Sequence, residues 1–128
     1  MLPTTREWVL NAEGDYDVVI VLLQSRKRSR YDPICFHAQQ CAEKYLKARL
    51  TESAIPFPKT HDLPALLRLT LSVQPGWSIM SNPLQVLTDW AVLPRYPGIT
   101  ATRSDAQVAV AACRRLRILA RRSFNLPI

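Results

Sequence analysis

The sequence lacks most features that mark cofactor-dependent enzymes and membrane or exported proteins. It has three glycines in 128 residues, and none lies in a Gly-rich loop of the kind that cradles phosphates. The longest apolar run, from Val18 to Leu23, is six residues long, far too short to cross a bilayer. No basic segment precedes an apolar one at the N-terminus, so we expect no signal sequence. The sequence therefore predicts a soluble protein that is neither secreted nor membrane-bound.

Cysteine is also scarce. Cys35, Cys41 and Cys113 are odd in number, have no CxxC spacing and fall at helical positions, so a disulfide framework is not expected. This usage predicts a reducing, cytoplasmic location. A zinc site needs four convergent ligands, and only His37 and Cys41 share a local spacing. We therefore expect no metal and no cofactor.

Acidic residues are rare in the second half of the chain. The net charge is +7, and residues 64–128 hold eight basic and two acidic side chains, which is +6 of that total. Such asymmetry favours a polyanionic partner, which would be nucleic acid, an acidic protein or an anionic membrane surface. The alternative is that the charge serves solubility alone.

Apolar spacing predicts five helices. Trp8 and Ala12 begin a repeat of three and four residues that indicates a first helix over residues 5–24, with a buried strand at Val18 to Val21 as the alternative. Further helices are predicted over residues 33–53, from residue 63, from residue 82 to before Pro94, and over residues 104–123. The predicted starts are the pairs Asp32-Pro33 and Asn82-Pro83 and a capping box at residues 104–107. The expected fold is all-α, a single compact domain over residues 1–128.

The second helix has two unlike faces. At 100° per residue, one narrow seam is apolar and suited to packing: Ile34, Ala38, Cys41, Tyr45 and Ala48. Beside it lies a polar stripe: His37, Gln40, Lys44 and Lys47. An imidazole, an amide and two ammonium groups in line suit an anionic ligand. The alternatives are a solvated helix face for the lysines and a partly buried, hydrogen-bonded His37.

Three further groups carry possible chemistry. Arg95 and Tyr96 stand between Pro94 and Pro97, where a guanidinium and a ring can meet a phosphate and a base, unless the segment is only a helix-ending turn. Arg114, Arg117 and Arg121 recur on one face of the last helix and can track a nucleic-acid backbone, although cations also suit that helix end. His61 stands beside Asp62 at a helix start, and its role stays open.

The order of several segments resembles the HEPN (higher eukaryotes and prokaryotes nucleotide-binding) family. These segments are Phe36-His37-Ala38-Gln39-Gln40 with its helix, Pro58 to Leu63, Asp89 to Val92, Arg95 to Gly98, and the Ala- and Arg-rich last helix. The resemblance implies a bundle like the nucleotidyltransferase substrate-binding subunits, and nucleotide or RNA binding in a cleft lined by His37, Gln40, Lys44, Arg95 and Tyr96. It also implies a homodimer and a minimal nucleotidyltransferase partner, as in toxin–antitoxin pairs.

The resemblance leaves enzymatic activity open. Many HEPN proteins are metal-independent ribonucleases with an Arg followed after four to six residues by a His. Here Arg30 and His37 have that spacing but straddle the Asp32-Pro33 helix start, and no His follows Arg95. One alternative is thus an endoribonuclease with His37 as proton carrier and Arg30 or Arg95 as phosphate clamp. Another is a non-catalytic helical adaptor for an acidic protein.

Overall fold

The computed structural model describes residues 1–92 and 97–128, and within these ranges the chain forms helices and no strand. The five α-helices are α1 (Pro3–Leu23), α2 (Tyr31–Glu52), α3 (Leu63–Thr70), α4 (Ser81–Leu87) and α5 (Arg103–Ser123). Short 3-10 turns cover Arg28–Arg30, Pro75–Met80 and Thr88–Ala91. The predicted all-α bundle is confirmed. The β-branched run from Val18 to Val21 lies inside α1, so the alternative of a strand there is wrong.

Helix α2 lies at the centre of the bundle. The five residues of its apolar seam are all fully buried, as predicted from their spacing. Cys41 of this seam lies beside Cys113 of α5, and the two thiols interact. Helix α1 packs antiparallel to α2, since Glu13 reaches Tyr45 and the more N-terminal Thr5 reaches Glu52. The seam therefore serves the core of one chain.

Helices α2 and α5 run parallel. The carboxylate of Asp32, at the start of α2, accepts from the backbone amide of Ala101 just before α5. At the other end Arg49 donates to the hydroxyl of Ser123 at 3.0 Å, and its guanidinium covers the ring of Phe124. Contacts at both ends fix the register of the two helices over about five turns.

Three predicted helix starts are wrong in position. Asp32 does not cap α2, which begins at Tyr31 directly after the 3-10 turn, because its carboxylate is used on Ala101. Helix α4 begins at Ser81 rather than after Asn82, since the preceding 3-10 turn runs straight into it. The capping box of α5 is formed by Thr102 and Asp105, two residues before the predicted one.

The segment before α3 is held from two sides. Asp62 caps α3 as expected, with its carboxylate accepting from the amide of Ala65 at 3.1 Å. The hydroxyl of Thr88 accepts from the amide of Leu63 at 2.9 Å and donates to the carbonyl of His61 at 3.2 Å. These bonds fix the backbone at His61 and Leu63 against the 3-10 turn that begins at Thr88. Within residues 1–92 and 97–128, no helix is long and apolar enough to span a membrane.

Candidate ligand-binding face

The polar stripe of α2 meets a buried carboxylate on α1. Asp15 follows Ala12 and precedes Val19 on the buried side of α1. Its Oδ1 lies 2.8 Å from Nδ1 of His37, and its Oδ2 lies 2.5 Å from Nζ of Lys44. One carboxylate thus holds two members of the stripe that are about two turns of α2 apart.

The bond to Asp15 fixes the proton position on His37. An ionised carboxylate only accepts hydrogen bonds, so Nδ1 of His37 carries the hydrogen and the neutral ring presents the lone pair of Nε2. Among the residues that the structure describes, Nε2 has no hydrogen-bond partner, and 27% of the side chain is exposed. The ring of Phe36 meets the imidazole edge to face, at 5.1 Å between centroids. His37 is a partly buried histidine with one nitrogen available to a ligand.

Lys44 and Gln40 complete the accessible part of the stripe. The ammonium of Lys44 has three donors, one of which is directed at Asp15, and its side chain is 25% exposed. Gln40 is half-buried and donates from Nε2 to Oε1 of Gln39 at 2.7 Å. We call His37, Gln40 and Lys44 the binding face of α2.

Lys47, the fourth member of the predicted stripe, is buried rather than solvated. Its Nζ donates to Oε2 of Glu43 at 3.0 Å and lies over the rings of Trp8 and Phe57. Both interpretations of this lysine from the sequence, a solvated side chain and a ligand contact, fail to describe its position. Its ion pair with buried Glu43 accounts for the difference.

A second imidazole is held at the other edge of α2. Oε1 of Glu43 lies 2.8 Å from Nδ1 of His61, and it also accepts from Nε2 of Gln39 at 3.3 Å. The Glu43 side chain is 4% exposed, whereas that of His61 is 66% exposed. Asp62, the carboxylate adjacent in sequence, is used on the α3 cap instead. The structure thus gives the ring of His61 a defined orientation, which the sequence left open.

Two of the three arginines predicted to track a nucleic-acid backbone, Arg117 and Arg121, lie against a carboxylate of α1. Nε and Nη2 of Arg117 donate to Glu13 at 2.8 and 2.7 Å, and Nη1 of Arg121 lies 3.3 Å from the same group. Both arginine side chains are 13% exposed. Tyr45 donates to Glu13 at 2.5 Å and accepts from Arg121 at 3.1 Å. Contact of these arginines with phosphate stays a prediction.

This cluster shifts the pKa of its members. Burial opposes ionisation of Glu13, but the hydrogen bonds from Arg117 and Tyr45 and the charges of Arg117 and Arg121 outweigh it, so the pKa of Glu13 is lowered. Burial, with the adjacent Glu13 carboxylate, raises the pKa of Tyr45 well above its usual range. Tyr45 is therefore a permanent hydrogen-bond donor to Glu13 near neutral pH.

Arg30, one of the two arginines predicted to pair with His37, is engaged close to its own position in the chain. The guanidinium of Arg30 donates to the carbonyl of Lys27 at 2.9 Å and covers the ring of Tyr31 at 4.5 Å, so it serves its own turn. Arg95 and Tyr96 lie outside the described residues. In the described part of the chain, no group of three or more His, Cys, Asp or Glu side chains has the arrangement of a metal site.

Sequence reasoning missed the two carboxylates that organise this face. The signal was present for Asp15, since it occurs at helical spacing among residues that are otherwise apolar or small, whereas Glu43 lies between Gln39 and Lys47 at that spacing. A single acidic residue on a buried seam needs a partner, because an unpaired buried charge is costly. The partners of Asp15 are His37 and Lys44 of α2, and those of Glu43 are Lys47 of the same helix and His61 before α3.

Comparison with known proteins agrees with the helical arrangement. The profile of the HEPN domain matches residues 5–122. The crystal structure of TT1696 from Thermus thermophilus superposes with a TM-score of 0.72 at 20% identity, over 94% of this chain and 98% of that one. This likeness concerns the fold. No curated protein is similar enough in sequence to count as a relative. Since the family profile covers nearly all of its residues, the chain belongs to the HEPN domain family.

Proposed function

We propose that the protein binds the phosphate groups of RNA or of a nucleotide at the binding face of α2. The observation that carries the proposal is the pair formed by Asp15 and His37, which presents Nε2 of an oriented imidazole beside the ammonium of Lys44. The ammonium of Lys44 suits a phosphate oxygen, with which it forms a charge-assisted hydrogen bond, and the lone pair of Nε2 suits a hydroxyl donor such as the ribose of the same ligand. The excess of basic side chains in the second half of the chain adds a long-range attraction for such a ligand.

The charges of the three side chains are consistent with anion binding. Asp15 and Lys44 compensate each other, so the trio is neutral when His37 is neutral and carries one positive charge when His37 is protonated.

Binding is tested with a labelled single-stranded RNA and with ATP, by fluorescence anisotropy at several salt concentrations. Lys44→Ala is expected to weaken binding about tenfold, as for one lost charge-assisted contact. Arg68→Ala is the matched control, since Arg68 is exposed on α3 and its loss changes the net charge equally. Equal effects of the two substitutions would reduce the role of Lys44 to overall charge and contradict the proposed site.

The contact with Asp15 adds a stability effect that the sequence did not predict. A ligand-facing lysine suggests little loss of stability in Lys44→Ala, but its removal leaves buried Asp15 with His37 alone. We expect a loss of about 1–3 kcal/mol, as for a buried hydrogen bond to a charged group. Affinities are therefore compared per folded molecule, and Lys44→Arg, which keeps the charge, is expected to restore both properties in part.

A salt titration separates nucleic-acid binding from a role as an adaptor for an acidic protein. Contacts with RNA phosphates release counterions, so log affinity falls steeply against log salt concentration even without cleavage. Absence of measurable RNA and nucleotide binding at low salt would favour the adaptor.

The partner in this proposal is a minimal nucleotidyltransferase, in a toxin–antitoxin-like pair. Its support is membership of the HEPN family alone. The test is co-expression with a nucleotidyltransferase encoded beside this gene, followed by size-exclusion chromatography. Co-elution in a defined ratio is the expected result, and separate elution of two folded proteins would remove this partner.

Metal-independent cleavage of RNA is the second candidate, and the bond between Asp15 and His37 favours it. In this reaction His37 takes the proton of a ribose 2′-hydroxyl through Nε2, the 2′-oxygen attacks phosphorus, and the 5′-oxygen leaves with a proton from solvent. The products are a 2′,3′-cyclic phosphate and a 5′-hydroxyl end. Cleavage that survives EDTA and is lost in His37→Ala would support it. Cleavage that EDTA abolishes would exclude this mechanism.

A further inference from the structure

His61 is held more firmly than an exposed histidine requires. Its Nδ1 is bound to Glu43, while its carbonyl accepts from Nε2 of Gln39 at 3.1 Å and from the hydroxyl of Thr88. Gln39 is fully buried and Glu43 nearly so. The ring itself is two-thirds exposed. Buried side chains thus fix both the backbone and the imidazole of a surface residue.

The fold gains little from this arrangement. Burying the charges of Glu43 and Lys47 removes both from water, and such a pair commonly contributes no more stability than well-packed apolar side chains. An exposed imidazole on a loop needs no carboxylate, because water satisfies both nitrogens. The specific result of the cluster is that Nδ1 carries the hydrogen and Nε2 of His61 presents its lone pair to solvent. Among the described residues, Nε2 of His61 has no hydrogen-bond partner.

The cluster is continuous with the binding face of α2. Gln40 donates to Gln39, and Gln39 donates to Glu43, so hydrogen bonds lead from Gln40 of the binding face to the carboxylate that holds His61. His37 and Glu43 are six residues apart, about 9 Å along the helix axis. His61, which lies before α3, is held at this second position with Gln40 between it and His37, so we treat the two imidazoles as separate contacts.

An aromatic surface adjoins the same cluster. The ring centroid of Trp8 lies 5.6 Å from Nζ of Lys47, and the rings of Trp8 and Phe57 meet edge to face at 6.4 Å. Trp8 lines an open cleft of about 250 Å³ with Thr4, Glu7 and Asn11. Nucleobases stack on such half-exposed rings without regard to sequence. A ligand with bases as well as phosphates fits this surface better than a simple anion.

From this arrangement we infer that His61 is a second ligand-contacting residue and that the ligand is a single-stranded RNA segment, which crosses α2 from His37 to His61. Glu43 is the positioning residue that orients the imidazole. This inference rests on the proposed function, since it extends the same face, and it specifies a ligand of several nucleotides rather than one. A mononucleotide contacts the His37 end alone.

The test compares a mononucleotide with an oligouridylate of about ten nucleotides, a length within the usual range of single-stranded binding sites. His61→Ala is expected to weaken binding of the oligonucleotide on the order of tenfold, as for one lost contact, and to leave mononucleotide binding unchanged. Because His61 is exposed, the variant is expected to remain folded. Arg68→Ala is again the control.

The role of Glu43 is measured by nitrogen NMR of the imidazoles. The wild-type protein is expected to show His61 with hydrogen on Nδ1, and Glu43→Gln to show a mixture of tautomers and weaker oligonucleotide binding with the mononucleotide unaffected. Should Glu43→Gln fail to fold, the wild-type spectrum decides this point, and hydrogen on Nε2 would overturn the assignment.

These binding measurements distinguish failure of the extended site at His61 from failure of the proposed function. If Lys44→Ala weakens both ligands while His61→Ala binds the oligonucleotide as the wild type does, the extended site is excluded and the proposed function stands. If neither substitution changes binding, or if no binding occurs, the proposed function fails as well. A loss for both ligands in His61→Ala would place His61 in the phosphate site and contradict a separate contact.

Discussion

Arg117 donates a hydrogen bond to each carboxylate oxygen of Glu13, from Nε to Oε2 at 2.8 Å and from Nη2 to Oε1 at 2.7 Å. The guanidinium also covers the ring of Tyr16, at 4.3 Å from its centroid. Bidentate geometry of this kind gives strong, directional pairing. It joins α1 to α5 across the bundle and determines what substitutions in the Arg-rich end of α5 will do.

Substitution of Arg117 is expected to act on stability. Arg117→Gln leaves Glu13 with weaker donors, and we expect a loss of about 2 kcal/mol in the free energy of unfolding, measured with urea. Arg115→Gln is the control, because Arg115 is exposed on the same helix. Similar stabilities of the two variants would show that the pair contributes nothing.

The same arginines give opposite results for RNA binding under the two interpretations. If Arg117 and Arg121 contact phosphates, replacing both by Gln flattens the plot of log affinity against log salt by about 0.7 to 0.9 per contact. If the two arginines are bound to Glu13 instead, the slope measured for the folded protein stays unchanged. Since both side chains are 13% exposed and engaged, we expect the unchanged slope. A flatter slope would support the prediction from the sequence that these arginines contact phosphates.

Acid is expected to weaken the contribution of Glu13 to the stability of the fold. Its pKa in the folded protein lies below its usual value of 4.5, so the stabilisation is complete above that pH and is lost as the pH falls through the folded value. Glu13→Gln should thus be less stable than the wild type at neutral pH, and the gap should narrow below pH 4.5. Thermal unfolding across this range measures the gap. A gap that widens in acid would contradict the shift.

The thiols are expected to be unreactive in the folded protein. Cys35, Cys41 and Cys113 are fully buried, and the interaction with Cys113, together with burial, raises the pKa of the Cys41 thiol. Labelling with a thiol-specific disulfide reagent should therefore be slow and should become rapid for three groups after unfolding in urea. Rapid labelling of one thiol under native conditions would indicate local opening of the seam between α2 and α5.

Self-association is a further prediction, which rests on the family resemblance and on the advantage of joining two basic surfaces. Sedimentation velocity at micromolar concentration is expected to show a species of twice 14.6 kDa, the mass of one chain. A C2 dimer is the default arrangement. A single species of one chain, with and without RNA, would contradict it.

The fold was largely predictable because its apolar spacing is regular. The seam of α2 from Ile34 to Ala48 follows helical periodicity without interruption, and burial follows from that pattern alone. Helix starts were less predictable, because the amides of the helix compete with other backbone amides for the same capping side chain. Asp32 has a suitable sequence position but binds Ala101, a partner 69 residues away that only the tertiary fold supplies.

The candidate site was predictable in part. His37 and Lys44 follow from the polar stripe, but their pairing with Asp15 depends on how α1 rotates against α2. The role of His61 was left open, since the carboxylate that orients it is 18 residues away and the adjacent Asp62 was the more obvious partner. Pairs of polar residues that are far apart in the chain are difficult to predict from local sequence patterns.

The distribution of charge along the chain has a consequence for folding. Residues 64–128 contain eight basic side chains, and the carboxylate that receives Arg117 is 104 positions away on α1. Helix α5 therefore gains its charge compensation only after the two ends of the chain meet, which gives this contact a high sequence separation and makes its formation slow compared with that of local helices. The C-terminal half on its own would have neither Glu13 nor the α2 seam, so the two halves of the bundle depend on each other and should fold in one cooperative step.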